Sequence, residues 1–316
     1  MQLSADFAAA LTALAPDFGC DDRLALAVSG GGDSFGMLAL AAEALPGRCV
    51  VLTVDHGLRP ESAAEAEQVR QACLPRDIAV RVLSIDWNGA PPSENRQAAS
   101  RTARYEAMGQ ACEAEGVRWL ATGHQLDDQA ETLLMRLQRG SGLSGLAGIR
   151  PRRTVGNLTI LRPCLAMRRD DLRAAATGAG FEPVDDPSNA DPAYDRTAAR
   201  AFLAEHPEFD STRLAATSAY LAEAEEALSW TVQLAFESRT DRRGETLLLD
   251  PAGLPADVLR RTILLIFEEF AVPFPRGEAL AGLIAKLAKG GAATLCGLDA
   301  RGGREWTFRR EGTSGG

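Results

Sequence analysis

The sequence predicts an α/β protein: a doubly wound parallel sheet, followed by a smaller, mostly helical α+β domain. Three observations predict it. From about residue 20 to residue 161, short apolar runs alternate with stretches of helical spacing, the signature of a parallel sheet with crossover helices. The first, second and fourth of these runs end in polar residues that lead into a helix: Ser29–Ser34, Asp55-His56 and His124–Glu131. Beyond Pro187 the alternation stops and helical spacing dominates.

Taken in order, residues 4–15 form a lead-in helix. Leu24–Val28 is a first strand, and Asp33–Leu45 a helix closed by Pro46-Gly47. Val50–Val54 is a second, buried strand and Glu61–Leu74 a helix. Ala79–Ile85 is a third strand and Asn88–Ser93 a loop. A long helix runs from Ser93 or Glu94 to about Glu115, where Gly116 stops it. Val117–Thr122 is the fourth strand and Leu126–Arg139 the next helix. The Gly-Ser stretch 140–148 is expected to be flexible, Leu158–Leu161 to be a fifth strand, and Asp185–Asn189 to be a turn. Residues 196–204 are helical, and a long amphipathic helix spans Ser211–Arg239. Asp241–Gly244 is a turn, Thr246–Asp250 a strand, and 256–271 and 276–288 are helices; Leu295–Leu298 and Glu305–Phe308 make a terminal hairpin. These elements divide into domains 1–215 and 216–316, with the long helix as connector and a disordered tail from Glu311.

The composition, 46% hydrophobic and 24% charged, is that of a soluble globular chain. No run of about 20 apolar residues offers a membrane span, and the N-terminus lacks the basic and apolar regions of a signal peptide. Six scattered cysteines, none in a metal or redox spacing, fit reduced thiols in a cytoplasmic protein. The net charge is −9, yet nine arginines lie between Arg136 and Arg173 against only Asp170 and Asp171. That segment points to a polyanion or to a solvated basic face.

Val28-Ser29-Gly30-Gly31-Gly32-Asp33-Ser34, between a strand and a helix, has the physics of a phosphate cradle. Glycines let the backbone approach a ligand, and the free amides of a helix start favour an anion. A Walker A loop would need a lysine, and the dinucleotide fingerprint would need glycine where Phe35 stands; neither fits. The plainer alternative is an ordinary helix cap made by Asp33 or Ser34. Asp128 and Glu131, three apart on one helix face, are able to hold an ammonium group or metal, or only to favour the helix dipole. His124 follows a strand end as a phosphate-side donor or a structural histidine, and Arg104 is either a phosphate clamp or a solvated residue. Asp55 stands where nucleotide folds often hold the ribose or adenine.

Ser-Gly-Gly-x-Asp-Ser after a buried strand resembles the PP-loop of ATP pyrophosphatases. Together with Val54–Ser62, Arg101–Tyr105, Ala121–Thr132, Arg139–Gly142, Gly145–Gly148, Leu161–Pro163 and Asp186–Asn189, it makes residues 20–200 similar to the tRNA(Ile)-lysidine synthetase family. The resemblance implies a PP-loop, Rossmann-like fold and a two-step ligation. ATP adenylates the wobble cytidine of tRNA(Ile) with a CAU anticodon at its carbon-2 oxygen, and the ε-amine of L-lysine then displaces AMP at carbon 2 to give lysidine. It implies that Ser29, Gly30, Gly31, Gly32, Asp33 and Ser34 hold the pyrophosphate, with Asp33 helping to hold ATP with Mg²⁺. Arg104 then clamps phosphate, His124 sits near the reacting phosphate, Asp128 and Glu131 bind lysine, and the arginine-rich segment and the C-terminal domain face tRNA. Two departures are visible: Gln125 stands where the family often has a second histidine, and Arg196-Thr197-Ala198-Ala199-Arg200 lacks the middle arginine of a family run. The competing readings are another PP-loop tRNA-modifying enzyme, such as a cytidine thiolase, and a nucleotide- or RNA-binding module without turnover. Cysteine-dependent thiolation needs a paired cysteine motif, which this chain lacks.

Overall fold

A computed structural model describes residues 2–59, 61–87, 96–183 and 195–312. The expected loop 88–93, the start of the helix near 93, the turn 185–189 and the last residues of the tail lie outside the described residues. The chain divides into two compact units, Met1–Ala222 and Glu223–Gly316. The division falls inside the helix α9 (Ser211–Arg239), the expected connector.

The first unit holds α1 (Gln2–Leu14), β1 (Leu24–Ala27), α2 (Gly32–Ala44), β2 (Cys49–Asp55), α3 (Ser62–Cys73) and β3 (Ala79–Ser84). It continues through α4 (Arg96–Ala114), β4 (Trp119–Thr122), α5 (Leu126–Gln138), α6 (Leu143–Leu146), β5 (Arg152–Val155), β6 (Leu158–Leu161), α7 (Arg169–Gly178) and α8 (Asp195–Glu205). Its six strands are ordered β3-β2-β1-β4-β6-β5. All neighbours are parallel except β5, which runs antiparallel to β6 at the edge.

Alternation along each central strand explains why both faces are covered. Leu24 and Leu26 of β1 join Phe7, Phe35, Trp119, Leu172 and Phe181 on one face of the sheet. Ala25, with Val50 and Leu52 of β2, joins Met108, Cys112 and Ile160 on the other. Phe35 and Phe181 stack with centroids 4.9 Å apart, fixing α2 against the segment after α7. Strand order reverses direction around β1, so the crevice beyond the carboxyl ends of β1 and β4 is the place where such a sheet holds a ligand.

Three expectations need correction in this unit. The doubly wound sheet has a sixth, antiparallel strand, β5, which carries two arginines and is exposed at every residue, so it shows no apolar alternation. The Gly-Ser stretch 140–148 is not structureless; α6 forms within it, and the Gln129 side chain holds its far end by bonding both the N–H and the C=O of Ile149. The helix α7 was not anticipated at all.

In the second unit β7 (Thr240–Arg243), β8 (Thr246–Leu249), α10 (Ala256–Glu269), α11 (Gly277–Ala288), β9 (Ala292–Leu295), β10 (Leu298–Arg301) and β11 (Trp306–Arg310) follow α9. The strands form one antiparallel sheet, β7-β8-β11-β10-β9, over a core of Leu249, Ile263, Phe267, Leu287 and Phe308. Asp241–Arg243, expected as a turn, is strand. Leu295 and Leu298 do not belong to one strand; Cys296 (φ 50) and Gly297 (φ 81) turn between β9 and β10. Nor is α9 simply amphipathic. Its buried positions include Ser218 and Glu225, while Tyr220 and Trp230 are exposed. Glu225 is neutralised there by Arg261, at 2.7 Å.

All six cysteines are free thiols, four of them buried. No helix of the described residues is long and apolar enough to cross a membrane.

Candidate functional site

The cradle forms because three glycines let β1 turn sharply into α2. Gly30 has φ 88, which favours glycine, and Gly31 is the helix N-cap in extended conformation. No side chain caps α2, so the ordinary-cap alternative is not realised. Ser34 Oγ donates instead to the Gly31 carbonyl at 2.9 Å and accepts from the Ser29 N–H at 3.2 Å. The first-turn amides of Gly32, Asp33 and Ser34 have no intrahelical carbonyl and no capping side chain. The Asp33 carboxylate is half-buried beside the Gln125 side chain, and its Oδ2 lies 3.8 Å from Arg169 Nε. Burial raises the Asp33 pKa, with Arg169 working against it. A Cβ at Gly32 would strike the Arg173 side chain, so glycine there lets this arginine lie across the loop.

At the end of β4, Thr122 Oγ1 lies 2.8 Å from His124 Nδ1. Gln125 is then the N-cap of α5: its Oε1 accepts the Asp127 N–H at 2.5 Å, and its own N–H donates to Asp128 Oδ2 at 3.1 Å. This reciprocal capping box explains how Gln125 serves at its position. Asp128 is thus partly a capping residue. Burial raises its pKa, against the nearby Arg196 and with Glu131 and Asp33 adding.

Glu131 is 1% exposed and lies beneath the cavity. Arg169 Nη2 reaches it at 2.9 Å, Arg200 Nε at 3.0 Å and Arg196 Nε at 3.5 Å. Arg196 and Arg200, four apart on α8, share a face. The missing middle arginine of this run therefore leaves both arms of the pair in place. Of Arg169 and Arg173, also four apart on α7, Arg169 reaches Glu131 while Arg173 lies against Gly32 of the cradle. This arginine set, gathered round one buried acid, is what the sequence reading missed; its only signal was the repeated i, i+4 spacing.

These elements enclose a cavity of about 680 Å³. It is lined by Ser29 and Gly31–Ser34 of the cradle, His56 after β2, Arg101, Arg104 and Tyr105 of α4, Thr122 at the end of β4 and His124 after it, Asp128 of α5 and the arginines of α7 and α8. Among the described residues, seven arginines and three carboxylates line it, a balance suited to a polyanion. The three strand ends thus share one rim. Three predicted residues do not line the cavity: Gly30, Glu131, and Asp55, whose Oδ1 accepts the Gly57 N–H at 2.9 Å and the Ser62 hydroxyl. The Ser62 hydrogen bond holds the Asp55 pKa down. Arg104 Nε is buried with no partner, and burial lowers its pKa. Among the described residues no group of three or more His, Cys, Asp or Glu side chains forms a metal cluster.

Burial, aided by Arg162, Arg101, Arg196 and Arg104, pushes the His124 pKa down to about 3. The unfolded chain would bind a proton at about pH 6.5 and the folded one would not. His124 is therefore without effect above about pH 6.5, and below it lowers stability by up to about 1.4 kcal/mol per pH unit until about pH 3. Asp33 and Asp128, with raised pKa values, act in the opposite direction. The difference between wild type and His124→Gln isolates the histidine. The variant should lose less stability to urea between about pH 6 and 4; equal pH slopes would refute this account.

A PP-loop domain model matches residues 3–206. The chain is 40% identical over 296 residues to the tRNA(Ile)-lysidine synthase of Zymomonas mobilis, covering 91% of this chain and 88% of that one. It is 41% identical over 294 residues to the tRNA(Ile)-lysidine synthase of Novosphingobium aromaticivorans, covering 91% and 89%. Among solved structures, the U34-tRNA thiolase NcsA of Methanococcus maripaludis superposes with a TM-score of 0.57 at 16% identity, over 71% of this chain and 78% of that one, a likeness of fold alone. With two relatives matched along nearly their whole length and the PP-loop placed at the mouth of the cavity, the chain belongs to the tRNA(Ile)-lysidine synthase family.

Proposed function

We propose that this protein ligates L-lysine to carbon 2 of the wobble cytidine of tRNA(Ile) with a CAU anticodon, using ATP. The observation that carries the reading is the uncapped PP-loop opening into the same cavity as the buried acid Asp128. In the first step the carbon-2 oxygen of cytidine attacks the α-phosphorus of ATP, and the bond to pyrophosphate breaks. The amides of Gly32–Ser34 and the Arg104 guanidinium meet the charge that grows on the leaving pyrophosphate. Asp33, a carboxylate that lines the cavity at the cradle, would hold a Mg²⁺ ion there. When bound, that ion would neutralise phosphate charge. In the second step the lysine ε-amine bonds to carbon 2 and AMP leaves with the oxygen. Asp128 meets the ammonium form, and its raised proton affinity lets it take a proton as the amine becomes a nucleophile. Glu131 stands behind it and holds the arginines in place. The basic rim meets the tRNA backbone.

A cysteine-dependent thiolase fits less well. None of the six cysteines lines the cavity, and burial pushes the Cys49 and Cys164 thiols up to about 12.

Purified protein, ATP, labelled lysine and a tRNA(Ile) transcript with a CAU anticodon should give label in the tRNA, matched by AMP and pyrophosphate. Absence of label from the tRNA would reject the ligase. Asp128→Asn should raise the KM for lysine about tenfold or more, the size of a charge-assisted hydrogen bond. Pyrophosphate release in the first step should persist.

A further inference from the structure

We propose that Thr122 is a positioning residue that holds His124 in its Nε2–H tautomer, so that the ring serves a phosphate oxygen as a neutral hydrogen-bond donor and not as a proton acceptor. The tautomer follows from hydrogen-bond accounting; the phosphate partner rests on the function proposed above.

Thr122 closes β4 and is 5% exposed. Its hydroxyl makes one hydrogen bond among the described residues, to His124 Nδ1 at 2.8 Å. Two assignments are possible for that contact. If Nδ1–H donated to Oγ1, the hydroxyl proton would have no acceptor within the described residues and would be left to the cavity that Thr122 also lines. If the hydroxyl donates to Nδ1, every group in the contact is matched. A hydrogen bond made within the protein at a site only 5% exposed outweighs one left to the cavity, so the second arrangement prevails. A neutral imidazole carries one ring proton, so with Nδ1 accepting, that proton sits on Nε2. The ring is neutral at ordinary pH, because burial and Arg162, Arg101, Arg196 and Arg104 all oppose a further positive charge.

The surroundings fit a donor. His124 lines a cavity in which arginines outnumber carboxylates, so the ligand it meets there is an anion rich in acceptor oxygens. A ring fixed as an acceptor would present a lone pair to that anion. A ring fixed as a donor adds a hydrogen bond without adding charge. It also removes His124 as the base that deprotonates lysine, which leaves that proton to Asp128.

The full-length protein labelled with ¹⁵N-histidine tests the tautomer directly. The chain has three histidines, and His124→Asn identifies the relevant signals. At about pH 7 the wild type should show a protonated Nε2 and an accepting Nδ1. Thr122→Val, of similar shape without the hydroxyl, should shift the ring toward Nδ1–H, and Thr122→Ser should keep the wild-type pattern. In parallel, kcat for ATP-dependent pyrophosphate release should fall at least about tenfold in Thr122→Val and stay within about twofold of wild type in Thr122→Ser. A wild-type ring protonated on Nδ1 overturns the proposal whatever the activity. So does Thr122→Val with the tautomer shifted and kcat unchanged. Wild-type protein that shows the Nε2–H tautomer but transfers no lysine would refute the ligase function and support the tautomer assignment.

Discussion

Alanine at position 36 should destabilise the protein by about 1–3 kcal/mol, the cost of forcing a carbon into filled space. The sign is informative, because glycine to alanine inside a helix ordinarily gains up to about 1 kcal/mol. Gly36 lies in the interior of α2, where a Cβ would come within 2.7 Å of the Leu172 carbonyl carbon and 2.8 Å of its Cα. The neighbour is backbone of α7, which has no rotamer to move. The helices would have to separate, and α7 carries Arg169 and Arg173 to the cradle. Urea denaturation of Gly36→Ala should show a lower midpoint, and ATP binding should weaken with it. A midpoint equal to or above that of wild type would mean that the two helices are not held this close.

Glu131→Gln should damage both half-reactions. The carboxylate is 1% exposed and meets three guanidiniums brought from α7 and α8. Removing its charge leaves these cations with only Asp128 and Asp33 as acidic neighbours, at 3.8–4.0 Å. For a fully buried pair such a loss is about 3–5 kcal/mol, but Arg196 and Arg200 are 45% and 39% exposed, so a figure of about 2 kcal/mol is appropriate. The larger effect is on turnover: pyrophosphate release should fall about a hundredfold or more, because the arginines at the cavity lose their anchor. The contrast with Asp128→Asn, which is expected to affect lysine alone, makes the test decisive. If Glu131→Gln raised only the KM for lysine, Glu131 would itself be a lysine ligand and the anchoring account would fall.

Much of the nucleotide-binding half is legible in the sequence, because the physics there is local. An apolar run followed by glycines and a helical stretch specifies the Ser29–Ser34 turn without reference to distant residues. The same holds for the polar ends of β2 and β4, whose shared rim follows from parallel topology. What was not legible depends on long-range partners or on missing patterns. Glu131 and Arg200 meet across 69 positions of the chain, and an arginine pair at helical spacing looks the same whether it faces water or a buried acid. β5 shows no alternation because it is exposed throughout. The terminal hairpin was misplaced because Leu295-Cys296-Gly297-Leu298 reads as an apolar run; its turn is made by Cys296 and Gly297 at positive φ, without the polar residues that usually mark one. Asp55 looked like a ligand residue, but a short side chain beside Gly57 and Ser62 finds its partners within the turn itself.

The exposed strand β5 has a consequence that needs no ligand. An edge strand offers unpaired amides and carbonyls to any passing strand, and a parallel core rich in valine and leucine is a hazard if its edge stays open. Here the outermost strand begins with Arg152-Arg153. Arg152 donates to the Leu14 carbonyl at 2.9 Å, which ties the edge to α1. A second copy approaching to extend the sheet would bring its own arginines against these, and like charges across a strand pair are unfavourable. The positive charge of this edge therefore guards that side of the sheet against polymerising with itself.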